Sequence, residues 1–177
     1  MRARPKPLAG RKVVLVVAHH GYREEELAEP LALLTREGAE VQIASSSLGP
    51  ASGMGGGRCD PQRLYSAVDV SSVDALVFVG GTGAAEYFDD RTAQRLVREA
   101  VTAGKLVGAM CFASSILANA GVLEGKPATG YPSREAHLRA RGARYTGEPV
   151  AIAGRIVTGR GPEDAGAFAG ALLAALS

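Results

Sequence analysis

At 177 residues the chain has the length of one domain able to bury a sizeable core. Hydrophobic residues make up 46% and charged residues 21%, and the formal net charge is +2, which excludes a disordered polyelectrolyte. The sequence holds no run of basic residues to mark a nucleic-acid partner and no apolar run of membrane-spanning length. Cys59 and Cys111 form no CxxC and have no metal-ligand cluster around them, so a reduced, cytoplasmic protein is expected.

The opening MRARPKPLAGRK is short, basic and Pro-containing, without an apolar h-region. Residues 1–11 are expected to be a flexible leader, and 12–177 a single domain. VVLVVA, from Val13, is a continuous apolar run typical of a strand covered on both faces. HHGYREEEL follows, then a helix to Arg36 with Leu27, Leu31 and Leu34 on one face and Gly38 as its stop. VQIAS is the second strand. GPASGMGGGRCDP reads as a Gly-rich loop; it lacks the GxxxxGK[ST] and GxGxxG spacings, so a phosphate cradle there has little support. ALVFVGG is another buried strand, ending in a Gly pair. FDDRTAQRLVREAVTAG is amphipathic, with Ala93, Leu96, Val97 and Ala100 as its apolar stripe. LVGAM is a strand and FASSILANAGVL a helix, with Phe112, Ser115, Ile116 and Asn119 spaced by three and four and Gly121 as the stop. GKPATGYPS reads as strand-to-turn and REAHLRARG as a short helix. PVAIAG and RIVTG read as a hairpin turning at Ala153-Gly154, and DAGAFAGALLAALS as the final helix. Alternating strands and helices imply a doubly wound α/β domain with a mainly parallel sheet.

Ligands in such sheets bind beyond the carboxyl ends of the strands. Three features fall there: His19-His20-Gly21 with its acidic run, Gly80-Gly81, and Cys111. Cys111 stands where a strand turns directly into a helix, the setting of a nucleophile elbow. The helix N-terminus behind it is expected to lower the thiol pKa. The competing reading is a small buried hydrophobe. Glu24, Glu25 and Glu26 open the first helix, where carboxylates suit the dipole. Successive residues point about 100° apart, so one or two at most face the sheet end, and the residues alone leave open which. The Gly pair permits close backbone approach and free N–H groups for an oxyanion; a tight turn would also explain it. Of His19 and His20, only one can enter a site from a strand. His137 is expected on a solvated helix, and no third or fourth ligand accompanies the histidines to make a metal site.

Taken together, GYREEELAEPLALLTREGAEV, DALVFVGGTGA, AGKLVGAMCFASSILANAGVLEGKPAT, GYPS and GRIVTGRGPEDA resemble the ThiJ/PfpI family. This is the family of the Parkinson-disease deglycase, in the class I glutamine amidotransferase-like superfamily. The resemblance runs from Lys12 to the final helix. It implies a flavodoxin-like three-layer sandwich, with homodimers common. It also implies that Glu26, four residues before Pro30, is the active-site glutamate and is usually protonated. Cys111 matches the nucleophile, and Gly81 and Phe112 match the backbone positions of the oxyanion hole. Tyr131, before Pro132, stands near the site where some members carry His; His20 is the other pocket candidate. Members regarded as peptidases have His directly after the nucleophile, where this chain has Phe112. Cys59 falls near the place of a second, redox-sensitive cysteine of some members. Glu86 matches an acidic residue that some oligomeric members contribute across an interface.

The resemblance implies a cofactor-independent Cys/Glu enzyme acting on small reactive aldehydes, converting methylglyoxal to lactate or removing early glyoxal adducts. The alternatives are a redox-sensing stress protein or chaperone that uses an oxidisable Cys111, and a hydrolase or hydratase on nitrogenous substrates. A peptidase is the least supported. No cofactor, metal, nucleic acid or membrane is expected to take part.

Overall fold

In a computed structural model of the chain, which describes residues 2–177, the elements follow in this order: β1 (Lys12–Val16), β2 (His20–Tyr22), α1 (Glu24–Arg36), β3 (Glu40–Ser45), β4 (Ala51–Gly53), β5 (Arg58–Cys59), β6 (Arg63–Leu64), β7 (Ala75–Phe78), α2 (Arg91–Thr102), β8 (Leu106–Met110), α3 (Ser114–Asn119), β9 (Pro127–Ala128), α4 (Glu135–Ala140), β10 (Arg144–Tyr145), β11 (Val150–Ala153), β12 (Ile156–Gly159) and α5 (Ala165–Leu176). The main sheet has seven strands in the order β11-β12-β8-β7-β1-β3-β6. Every neighbouring pair is parallel except β11 with β12, the expected hairpin.

The pleat sorts the apolar runs onto two faces. Val14, Val16, Leu76, Phe78, Val107 and Ala109 face one layer, where they pack with Leu96 and Val97 of α2, Ile116 and Leu117 of α3, and Leu138 of α4. Val13, Leu15, Val77, Leu106 and Met110 face the other, with Leu27 and Leu34 of α1 and Phe168, Leu172 and Leu176 of α5. The two layers of helix around one sheet make the flavodoxin-like three-layer sandwich. Among the described residues no helix is long and apolar enough to cross a membrane.

Two segments differ from expectation. The N-terminal segment, expected to be flexible through residue 11, is fastened before the first strand begins: Leu8 is fully buried and its N–H donates to Glu37 O at 3.0 Å. Met1 of that segment lies outside the described residues. The Gly-rich stretch is not a plain loop. β4 and β5 pair as a hairpin in a second, three-stranded sheet with β2.

Candidate active site

β8 delivers Cys111 at its carboxyl end. Met110 is extended at φ −117, and Cys111 then turns to φ 58, the only positive φ among the described non-glycine residues. A 3-10 turn over Cys111–Ala113 leads into α3, completing the strand-turn-helix elbow. Backbone held in this region costs about 1–3 kcal/mol and persists only where its surroundings enforce it. The side chain is 4% exposed.

Glu26 reaches Cys111 from the first turn of α1. It is 1% exposed and aims its carboxyl at the Gly80 turn. The missing side chain of Gly80 makes that approach possible: a Cβ there would lie 2.2 Å from Glu26 Oε1, 2.5 Å from Met110 O and 2.7 Å from Cys111 Cβ. The Arg23 amide donates to Gly80 O at 2.9 Å, which joins the start of the acidic helix to the same turn. Neither Glu26 oxygen has a partner of ordinary hydrogen-bond geometry, although the Cys111 thiol and the Gly80 amide are close enough to perturb its ionisation. Glu25 instead points outward and accepts from Arg23 Nε at 2.8 Å.

Burial dominates the electrostatics. It pushes the Glu26 carboxyl up to about 8, against the opposing pull of the Cys111 side chain, Arg23 and the Gly80 amide. Glu26 is therefore the protonated partner at neutral pH. Burial also pushes the Cys111 thiol up, and a charged Glu26 adds to that push; the Phe112 and Gly81 amides pull it down. The net direction is upward, contrary to the lowering expected from the helix. The six-residue α3 contributes too short a dipole to outweigh burial. Protonated Glu26 removes the like-charge penalty and offers a donor to sulfur, so one proton shared by the pair admits a thiolate held by two amides.

Those two amides belong to Gly81 and Phe112. Gly81 lies at φ 109, and a Cβ on it would come within 2.4 Å of Gly21 O, so glycine is obligatory there. Beyond the sulfur opens a cavity of about 400 Å³ lined by Cys111, Gly81, Phe112 and Tyr131, together with Arg23, Met54, Thr82, Pro162 and Glu163. Tyr131 stacks on Phe112, with ring centroids 5.2 Å apart and planes 19° from parallel, so one aromatic wall faces the thiol.

The histidines lie elsewhere. His20, a pocket candidate, is not among the lining residues; it is exposed, with Nδ1 3.0 Å from Ser52 Oγ on the β2–β4 sheet. The His19 amide donates to Glu86 Oε2 at 2.9 Å, engaging Glu86 within the chain. His137, expected to be solvated, is half-buried, with Nδ1 3.0 Å from Ser115 Oγ and Nε2 2.9 Å from Asn119 Oδ1. Its α4 helix packs back on α3, which the short motif gave no means to foresee. Among the described residues no three His, Cys, Asp or Glu side chains group as metal ligands.

Glu24 has a different occupation. Its carboxylate accepts from the Gly55 amide at 2.8 Å and the Gly57 amide at 2.9 Å. The Gly-rich hairpin is thus a cradle, but one filled by the chain's own carboxylate rather than a phosphate. Sequence reasoning missed Arg23, Met54, Thr82, Pro162 and Glu163 as pocket residues. Arg23 carried a signal in being the one cation beside the acidic run, and Thr82 in following the Gly pair. Met54, Pro162 and Glu163 carried none, because their loops meet the site only through the fold.

Known proteins place this arrangement in context. The DJ-1/PfpI family pattern matches residues 11–175. An uncharacterized protein of Methanocaldococcus jannaschii is 36% identical over 160 residues, covering 89% of this chain and 78% of its own. A deglycase of Pyrococcus horikoshii is 30% identical over 151 residues, covering 85% and 91%. Among solved structures, a ThiJ/PfpI domain protein from Brachyspira murdochii superposes with a TM-score of 0.91 at 31% identity, covering 94% of this chain and 98% of its own. DJ-1beta of Drosophila melanogaster gives a TM-score of 0.85 at 28% identity, covering 94% and 90%. A match over nearly the whole length, in both sequence and fold, establishes that the chain belongs to the DJ-1/PfpI family.

Proposed function

We propose that this protein is a Cys111- and Glu26-dependent enzyme acting on small reactive aldehydes, of the glyoxalase or deglycase type, with no cofactor. The observation that carries the reading is the buried Glu26 carboxyl, protonated at neutral pH, facing a thiol on a strained elbow beside two amides. Relatives named as deglycases in Pyrococcus horikoshii and Pyrococcus furiosus support it.

With methylglyoxal as substrate, the Cys111 sulfur forms a bond to the aldehyde carbon, and the carbonyl π electrons move to oxygen. The Gly81 and Phe112 amides stabilise that oxyanion until it takes the proton of the Glu26 carboxyl, giving a hemithioacetal and leaving Glu26 ionised. Glu26, as carboxylate, removes the proton from the former aldehyde carbon and returns one to the neighbouring carbon through an enediol, leaving a thioester of lactate. Water cleaves the thioester, releasing lactate and restoring the thiol. The net change is addition of one water, with no external oxidant or reductant. The aromatic wall of Phe112 and Tyr131 flanks the approach to sulfur.

Peptide cleavage fits less well. Departure of an amine calls for a proton donor, and no histidine is among the residues lining the cavity. The test is lactate formation from methylglyoxal alongside fluorogenic-peptide cleavage on one preparation, with Cys111→Ser as control. Cys111-dependent lactate with negligible peptide cleavage is expected. Cys111-dependent proteolysis without lactate reverses the reaction class. Activity in neither assay favours a redox role, in which two equivalents of a peroxide oxidise the Cys111 thiol to a sulfinate beside protonated Glu26, each peroxide being reduced to water. A relative of Toxoplasma gondii, 27% identical, has a structure described as oxidized, which lends that second reading support. The working form is proposed as a cytoplasmic homodimer, and sedimentation of monomer alone at micromolar concentration would remove the dimer.

A further inference from the structure

A cavity larger than the one at Cys111 lies elsewhere in the molecule. It has a volume of about 490 Å³ and lies at the opposite end of the sheet, where Lys105 leads into β8 and Arg155 into β12. Cys111 follows the other end of β8, roughly 20 Å away along the strand. Four cations line this cavity, Lys105, Lys126, Arg144 and Arg155, and no carboxylate does. In a chain of net charge +2 without a basic run, the fold has gathered them from four separate stretches of the chain.

None of the four is in an ion pair among the described residues. Asp69 is near enough to Lys105 to feel its charge but does not line the space. Arg155 is steadied by donating from Nη1 to Ala175 O at 2.7 Å, which fixes its stem. Three glycines at positive φ, Gly104, Gly125 and Gly154, are among its lining residues, and at each a Cβ would meet nothing within 4 Å. Apolar walls come from Val101, Pro127 and Ile156.

We propose that this cavity binds a diphosphate ester, both phosphates engaged by the cations, on a compact apolar or aromatic body, of the nucleoside diphosphate type. Uncompensated cations on all sides favour a multiply charged anion, and two guanidinium groups suit paired phosphate oxygens. The volume is far beyond a lone phosphate and within the range of small-molecule sites. Val101, Pro127 and Ile156 give the uncharged body an apolar surface. The site is separate from Cys111, so it stands whether or not the aldehyde reading does.

The test is calorimetric titration of the full chain with ADP, AMP and pyrophosphate at about 0.15 M salt, where unspecific surface attraction is largely screened. Saturable one-to-one binding of ADP is expected, about tenfold or more tighter than either AMP or pyrophosphate, since each lacks one half of what the cavity offers. Lys126→Glu with Arg144→Glu should weaken ADP about a hundredfold, at an unchanged thermal midpoint and unchanged Cys111-dependent turnover. Arg36→Glu with Arg98→Glu, the same charge change elsewhere, should leave ADP binding intact. ADP affinity that survives the cavity reversal, or falls equally with the control pair, overturns the proposal. So does affinity that follows anion charge alone without saturating. If the reversal variant loses its fold, Lys105→Gln with Lys126→Gln carries the same comparison.

Discussion

Two glycine-rich turns meet the first turn of α1, and they treat its carboxylates in opposite ways. The β4–β5 hairpin turns its Gly55 and Gly57 amides toward Glu24, so the carboxyl falls below its usual range although burial alone would raise it. The Gly80–Gly81 turn makes room for Glu26 without giving it a well-formed hydrogen bond, so burial prevails and the carboxyl rises to about 8. Two glutamates two residues apart on one helix thus become, at neutral pH, a carboxylate and a carboxylic acid. What separates them is where the neighbouring amides point, since both share the same helix dipole.

The comparison breaks most sharply in turnover. Glu26→Gln should cost roughly a hundredfold to ten-thousandfold in aldehyde turnover, and Cys111→Ser at least about a thousandfold, measured as lactate formed at neutral pH. Glu24→Gln should change turnover by less than about threefold, because its carboxylate serves the hairpin. Loss of activity in Glu24→Gln equal to that in Glu26→Gln would erase the distinction.

Stability against pH sharpens it. Glu26 has a folded pKa above its unfolded value, so its contribution is fully present below about 4.5 and is lost as pH rises toward about 8. Glu26→Gln should therefore be more stable than the parent at pH 8, with the gap opening by roughly 1 kcal/mol per pH unit across that window. Denaturant titrations at several pH values measure this. Glu24 has the reverse sign: its folded pKa is lowered, so its contribution is present above the usual carboxylate range and fades as pH falls through the folded value. Glu24→Gln should then cost about 1 kcal/mol at neutral pH, and the deficit should vanish in acid. An effect of similar size, but without any pH dependence, is expected at Gly56, where a Cβ meets nothing within 4 Å but φ is +87. Gly56→Ala should cost about 1 kcal/mol of conformational strain and leave turnover unchanged, as thermal melts and the lactate assay would show.

The sheet was legible because its strands are buried on both faces. VVLVVA, ALVFV and LVGAM can hardly be read otherwise, and the elbow followed from a strand meeting a helix at Cys111. The choice of Glu26 was not legible from helix geometry, and only the family resemblance, through Pro30, singled it out. The hairpin within the Gly-rich stretch was hidden because its partner is β2, and its carboxylate comes from a helix some thirty residues earlier. Leu8 was hidden for a related reason: an isolated apolar residue in a basic segment has no period to betray it, and its anchor is Glu37 O across the domain. The thiol pKa failed in sign because the dipole argument is local whereas burial is a property of the finished fold.

The positive φ at Cys111 carries a consequence for how this chain can change. Were folding the sole demand, glycine would suit position 111 better, relieving about 1 kcal/mol of backbone strain. A screen for thermal resilience alone puts no value on the thiol, and accepting Cys111→Gly would discard the group on which the proposed turnover depends, along with its buried contacts. Keeping a thiol there sets durability against reactivity at a single backbone angle, and any programme to toughen the protein must hold that position fixed.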